Sequence, residues 1–116
     1  MKKVAIPVYN GKLSEFFGQC NHYQIYTIDN NLVKSEELEM PPKNDISKMP
    51  EWVSEKGITD IITYKIDKRI IMLFNAFKVN LYVGVDIDAP DKLIGDFIAE
   101  RIKSNNKIIS EIIDID

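Results

Sequence analysis

The residues of this chain best suited to bind a metal are its single cysteine and single histidine, which lie two positions apart in EFFGQCNHY, residues 15 to 23. Thiolate sulfur and neutral imidazole nitrogen are both good ligands for iron. If a strand already includes both positions, Cys20 and His22 point to the same face, because side chains alternate along a strand. The alternatives are a small buried hydrophobe for Cys20 and an ordinary polar residue at a strand end for His22.

Three further residues are candidates for the same site. Gly18 either adopts a positive φ in the loop or lets a ligand approach the backbone closely. Lys65 and Arg69 are suited to hold the negative charge of a cluster or of an acid group, and the alternative is that both are solvated surface charges. Asp86 and Asp88 resemble a hard-metal pair, but Asp88 is better explained as a helix cap.

The composition indicates one reduced, cytoplasmic domain. The 116 residues, 45% of them hydrophobic, suffice for a single core, so we expect one domain over residues 1–116. The net charge of −3 gives no reason to expect nucleic-acid binding. One cysteine excludes an intrachain disulfide, the N-terminus does not read as a signal peptide, and no apolar run approaches the ~20 residues that span a bilayer.

Five segments have the composition of strands. Residues 2–9, 22–29 and 32–40 are the first three, and Asn30-Asn31 between the latter two predicts a tight hairpin because asparagine tolerates positive φ. Residues 58–64 and 79–85 are β-branched or apolar and bounded by polar residues, which predicts two more strands. A loop is expected after Pro41-Pro42.

Helices are predicted between the later strands. One begins near Pro50 and ends at Gly57. The next is capped by Asp67, and its apolar residues are expected on one broad face: Ile70, Ile71, Leu73, Phe74 and Phe77. A third opens at Asp88 and Pro90 and stops at Asn105-Asn106, with a buried stripe of Leu93, Ile94, Phe97, Ile98 and Ile102. The tail, residues 104–116, is either an added strand or a helix.

This order of elements predicts an α/β fold with helices on the faces of a mixed sheet. If the first, fourth and fifth strands are parallel, their carboxyl ends meet at one rim, where open α/β sheets bind ligands. That rim collects residues 9–18, 63–67 and 84–86, together with the start of the antiparallel second strand. The candidate residues therefore fall where a site is expected.

Several motifs, in order, resemble the dinitrogenase iron-molybdenum cofactor biosynthesis family, which includes NifX, the cofactor-carrying domain of NafY and the C-terminal domain of NifB. The resemblance covers residues 2 to about 103. Its matching residues are Ile6-Pro7-Val8, Phe17-Gly18, Cys20, Pro50, Trp52 and Leu81-Tyr82.

The resemblance implies a ribonuclease-H-like, five-stranded mixed sheet in the order 3-2-1-4-5. It also implies a non-catalytic protein, associated with nitrogen fixation, that binds an iron-sulfur or iron-molybdenum-type cluster or its precursor. Metallocluster donor or acceptor proteins are then the implied partners. Combined with the candidates taken from the residues themselves, the predicted cofactor-binding residues are Cys20, His22, Gly18, Lys65 and Arg69, with Cys20 and His22 as the metal ligands. His22 occupies neither of the family's histidine positions.

The sequence departs from the family pattern at the site. Phe16 and Gln19 stand where the family loop has histidines, and the glycine-rich turn after the fourth strand is replaced by residues 64–68, although Arg69 is retained. The alternative is therefore a divergent member without a cluster, acting as a regulatory module that binds a protein or a small anion.

No sequence motif indicates catalysis or a nuclease. The five glycines are isolated, so there is no phosphate loop, dinucleotide fingerprint or nucleophile elbow. The first strand contains no acid, and Asp60 is alone near the fourth, which argues against a two-metal nuclease. An isoleucine-rich tail that added a strand at a sheet edge could pair with a second copy, so a homodimer is a further expectation.

Overall fold

The computed structural model describes residues 1–40 and 48–113, which form a mixed α/β fold. The predicted loop at 41–47 and the last residues of the tail lie outside this range. The strands are β1 (Lys2–Tyr9), β2 (Lys12–Leu13), β3 (His22–Asp29), β4 (Leu32–Glu39), β5 (Asp60–Ile62) and β6 (Asn80–Tyr82). The helices are α1 (Met49–Glu55), α2 (Lys68–Ala76), α3 (Pro90–Ile98) and α4 (Asn106–Ile113).

The order and direction of the strands bring the carboxyl ends of the parallel strands to one rim, as the alternation of strands and helices predicts. Its order is β4-β3-β1-β5-β6, with β2 paired to β1. β1, β5 and β6 are mutually parallel, while β3 is antiparallel to both β1 and β4. The two-residue β2 was not predicted, and it makes six strands among the described residues. It folds the chain back beside the end of β1, where Leu13 is opposite Val8.

The two faces of the sheet carry separate hydrophobic layers. On one face, α1, α2 and α4 pack over a cluster that includes Ala5, Tyr23, Ile61 and Phe74. On the other face, α3 packs over Val4, Ile6 and Val8 of β1 and Tyr26 of β3, among others. Strand alternation divides β1 between the two layers. This central strand therefore has helices above and below it.

The local turn and cap predictions are confirmed. Asn30 and Asn31 both have positive φ, 51° and 61°, as a two-residue hairpin turn of this type requires. Gly57 follows α1 with φ 71°. Asp67 caps α2, where its side chain accepts a hydrogen bond from the Arg69 amide at 2.8 Å.

The predicted broad apolar face of α2 is wrong in part. Ile70 and Phe74 are buried, but Leu73 and Phe77 retain 38% and 45% of their exposure. The layer over the sheet covers only the stripe of the helix that faces it, so apolar residues outside that stripe remain at the surface.

Of the predicted limits of the third helix, the start at Pro90 is confirmed, whereas the Asp88 cap and the end at Asn105-Asn106 are wrong. Ala89, not Asp88, is the N-cap, and the Asp88 side chain instead accepts a hydrogen bond from the Ala89 amide. α3 ends at Ile98, and Glu100 follows with φ 60°. Asn105 does not stop this helix, because its side-chain oxygen receives the first backbone amides of α4.

The tail is a helix rather than a strand over Asn106–Ile113. Its isoleucines 108, 109 and 112 pack against the cluster under α1 and α2. The apolar pattern of the tail thus reflects packing within the domain. None of the described helices is long and apolar enough to cross a membrane.

Candidate functional site

The candidate loop, residues 14–21, is fixed at the rim by Ser14. Its hydroxyl is buried and lies 2.8 Å from the carbonyl oxygen of Phe16 and 3.1 Å from that of Gln19. The Ser14 amide donates to Pro7 of β1 at 2.8 Å. Sequence reasoning missed Ser14, although a small hydroxyl residue in a tight loop is a common device for satisfying backbone carbonyls.

Phe16 and Lys65 join this loop to the chain that follows β5. They form a parallel bridge, in which the Phe17 amide donates to the Lys65 carbonyl and the Lys65 amide donates to the Glu15 carbonyl. The Lys65 ammonium lies 5.7 Å from the Phe16 ring centroid and 5.8 Å from that of Tyr64, which is cation–π geometry. The predicted meeting of the two loops is therefore confirmed.

A cleft of about 750 Å³ opens beside this bridge. Its walls combine aromatic and apolar groups with several charged ones. They come from the loop after β2, the segment that leads into α2, and α4: Phe16, Phe17, Gln19, Lys65, Ile66, Asp67, Lys68, Arg69, Glu111 and Ile112. Phe16 and Gln19, which stand where the family pattern has histidines, are thus both wall residues. Cleft volumes of this order are typical of small-ligand sites.

Arg69 lies at the edge of the cleft and is paired with Asp67. Its guanidinium donates to both carboxylate oxygens of Asp67, at 3.3 and 3.2 Å. These bonds, with the Arg69 amide, hold the pKa of Asp67 below its ordinary value. The Arg69 side chain is 80% exposed. To contact a ligand, its guanidinium must either keep Asp67 as a second partner or break its hydrogen bonds to that carboxylate.

Cys20 is half-buried and packs against the cluster under α1 and α2. Burial raises the pKa of its thiol, and an opposing contribution comes from the Tyr23 hydroxyl. That hydroxyl is buried without a well-formed hydrogen bond to any described residue, and burial, followed by the charge of Cys20, raises the pKa of Tyr23. The thiol is therefore mainly protonated at neutral pH. Its neighbour, the Tyr23 hydroxyl, is a buried hydrogen-bond donor with no well-formed bond to the described residues.

Cys20 and His22 do not share a face of the sheet. β3 begins at His22, so Cys20 precedes the strand. His22 is opposite Val8 in the antiparallel ladder, and Val8 belongs to the layer under α3, whereas Cys20 contacts the other layer. The expected same-face pair is wrong because alternation applies only within the strand.

Gly18 has the positive φ expected for the loop, at 94°. It is exposed and is not a wall residue of the cleft. Its visible role is to let the chain turn between Phe17, which is buried, and Gln19.

The described residues contain no group of three His, Cys, Asp or Glu side chains able to hold a metal ion. Asp86 and Asp88 line a second, more polar depression of about 390 Å³ at the end of β6. Asp96, in the same depression, pairs with Lys92 and Arg101, each at 3.0 Å. The charges there balance one another within the fold.

The family model for the dinitrogenase iron-molybdenum cofactor family matches residues 1–100. Among curated proteins, MJ0580 of Methanocaldococcus jannaschii is 25% identical over 87 residues, covering 71% of this chain and 74% of that protein.

Solved structures share the architecture. The crystal structure of PH0822 superposes with a TM-score of 0.81 at 25% identity, covering 89% of this chain and 94% of that one. The crystal structure of MJ0327 from Methanocaldococcus jannaschii, named as a candidate dinitrogenase, gives 0.72 at 29% identity, with 89% and 93% covered.

Proposed function

Because this chain belongs to the dinitrogenase iron-molybdenum cofactor family, we propose that it is a non-catalytic carrier of an iron-sulfur or iron-molybdenum-type cluster or its precursor. The cargo would be held at the rim and passed between donor and acceptor proteins. The mixed sheet is then the ribonuclease-H-like motif that the sequence resemblance implies.

The observation that carries the proposal is the junction of the Cys20 loop with Lys65 at the cleft. The bridge between Phe16 and Lys65 brings the loop, a cation and two aromatic rings to the carboxyl ends of β1 and β5. Clusters with bound thiolates and sulfides are anionic, so a cationic and aromatic wall suits them. Cys20 is the anchoring ligand in this proposal, Gly18 is the turn that presents the loop, and Lys65 and Arg69 are the electrostatic support. His22 is left out of the ligand set, because it lies on the side of the sheet under α3.

The ligand set favours a passing cargo over a resident cofactor. Iron-sulfur clusters in proteins are usually held by four thiolates, and the chain has one cysteine. A cluster at this rim must therefore bring most of its own ligands. Incomplete ligation by the protein suits a carrier, since fewer bonds must break when the cargo is handed on.

Anaerobic reconstitution with ferrous iron and sulfide tests the proposal. The protein is desalted after loading, and its visible spectrum and iron content are compared with those of Cys20→Ala. We expect the wild type to retain iron with a charge-transfer band and the variant to lose both. Equal iron in the two proteins, or none in the wild type, would refute carriage through Cys20.

The second candidate is a module that binds a small anion or a protein without a cluster. Two observations favour it: the Cys20 thiol packs against the core with a raised pKa, and Lys65 faces a cleft that Cys20 does not line. In that case Lys65→Met removes binding of an anionic ligand while Cys20→Ala leaves it unchanged, as calorimetric titration with an anion such as citrate would reveal.

A further inference from the structure

α4 lies beyond the family match yet contributes to the cleft. The match ends at residue 100, and α4 spans Asn106–Ile113. Glu111 and Ile112 line the cleft together with residues of the rim loops. One wall of the candidate site is therefore supplied by a segment beyond the residues that the family model matches.

Gly84, directly after β6, is shaped to receive this helix. It has a φ of 80°, and a Cβ built on it would lie 2.6 Å from the Asn105 Cβ and 2.9 Å from the Ile108 Cβ. Real Cβ atoms do not approach so closely, so only glycine lets the backbone and the start of α4 meet here. The contact fixes where the wall stands relative to the end of β6.

The chain leading into α4 is anchored at the same place. The Asn105 amide donates to the Val83 carbonyl at 2.7 Å, and the Val83 amide donates to the Ser104 hydroxyl at 3.0 Å. The Asn105 side-chain oxygen then accepts from the Lys107 and Ile108 amides. The amino-terminal end of α4 is thus pinned, whereas its cleft-facing residues lie about a turn and a half further on.

The rest of the docking is comparatively weak. The isoleucines at 108, 109 and 112 are only half-buried, and residues 101–105 have no regular secondary structure. A helix of eight residues is not stable alone in water, so α4 persists only while it is docked. Segments with few fully buried contacts open at lower free energy than the core.

We propose that α4 is a displaceable wall of the cleft, which closes over the cargo when Ile108 is packed on Gly84 and opens about the bonds that tie Ser104 and Asn105 to Val83. The proposal deepens the proposed function, since it concerns the same cleft, and it gives Ile112 a contact with the cargo. Its test does not require the cargo.

The test compares Gly84→Ala with Gly57→Ala by hydrogen exchange of the whole protein. Gly57 has a similar φ of 71° but nothing within 4 Å of a built Cβ, so both variants carry the backbone strain and only one disturbs the docking contact. We expect amides of α4 to exchange at least about tenfold faster in Gly84→Ala, with β1 unchanged, and to be unaffected in Gly57→Ala. Equal α4 exchange in the two variants would overturn the proposal.

Access to the cleft is read by acetylation of Lys65 with an N-hydroxysuccinimide ester, followed by mass spectrometry. Lys34, on the exposed strand β4, is the internal reference. Faster labelling of Lys65 relative to Lys34 in Gly84→Ala is expected, and an unchanged ratio would show that α4 does not cover the cleft.

A milder variant serves if Gly84→Ala does not fold. Asn105→Ala removes the two side-chain bonds at the start of α4 but keeps the backbone bonds to Val83, and Asn75→Ala on the exposed side of α2 is its control. Faster α4 exchange in Asn105→Ala alone supports the proposal, while equal exchange contradicts it. If the protein retained no iron, the carrier function would be refuted, but the exchange and labelling results on α4 would be unaffected.

Discussion

Cys20 and His22 lie on opposite faces of the sheet, although only one residue separates them. Cys20 packs into the layer under α1 and α2, and His22 is opposite Val8, which belongs to the layer under α3. A single metal ion therefore cannot use both side chains unless the start of β3 rearranges. The two residues can be tested as independent contributors.

Cys20→Ser and His22→Gln are expected to differ in iron retention after anaerobic loading. The serine variant loses the thiolate and should retain little iron, whereas the glutamine variant should retain most of it because its side chain faces away. Iron per chain after desalting is the measurement, with thermal unfolding to verify that both variants fold. Equal losses would mean that the strand start rearranges to bring the two side chains together.

Tyr23→Phe is expected to stabilise the fold. Its hydroxyl is buried without a well-formed hydrogen bond to the described residues, so its removal relieves a desolvation cost of about 1 kcal/mol. Tyr26 is the matched control, since its hydroxyl donates to Asp91 at 3.1 Å, and Tyr26→Phe should cost about 1 kcal/mol. Urea unfolding measures the change in the free energy of unfolding for both variants. A destabilised Tyr23→Phe would indicate that the hydroxyl has a hydrogen-bond partner.

Asp67→Asn should remove a pH-dependent part of the stability. The pKa of Asp67 is lowered in the folded state, chiefly by the hydrogen bonds from Arg69, so its contribution is present above the unfolded pKa and is lost as pH falls through the folded pKa. Asparagine keeps the helix cap without the charge. The wild type should therefore have the higher Tm at neutral pH, and the difference should shrink as the pH falls below the unfolded Asp pKa of about 3.9 and vanish below the lower folded pKa. A difference that persists in acid would assign the effect to capping geometry.

Phe74→Ala and Phe77→Ala compare a buried residue of α2 with the exposed residue that caps the end of this helix. Phe74 is fully buried and makes an edge-to-face contact with Phe17, at a centroid distance of 5.6 Å, so its loss should cost about 3–5 kcal/mol. Phe77 is 45% exposed, and its truncation should cost no more than about 1 kcal/mol. Chemical denaturation measures both, and comparable costs would mean that the outer side of α2 is covered in solution.

Features governed by local chemistry were predictable from the sequence. The Asn30-Asn31 turn and the Asp67 cap each depend on a few neighbouring residues with distinctive backbone preferences. The meeting of the two loops at the rim followed from strand direction alone.

Features governed by tertiary packing were not predictable. The sequence of α2 is apolar on most sides, so only the width of the covering layer decides that Leu73 and Phe77 stay exposed. The faces that Cys20 and His22 occupy depend on the residue at which β3 begins, which is His22. The alternation of apolar residues does not locate the ends of a strand to a single residue. Asn105 reads equally well as the end of one helix or the start of the next.

The contact between Tyr23 and Trp52 gives the protein a built-in optical signal. Trp52 is the sole tryptophan, and its ring centroid is 5.2 Å from that of Tyr23, beside the cluster that Cys20 contacts. Iron-sulfur chromophores absorb where tryptophan emits, so cargo anchored at Cys20 would quench this fluorescence by energy transfer. Loading and hand-over could then be followed in real time on the unlabelled protein.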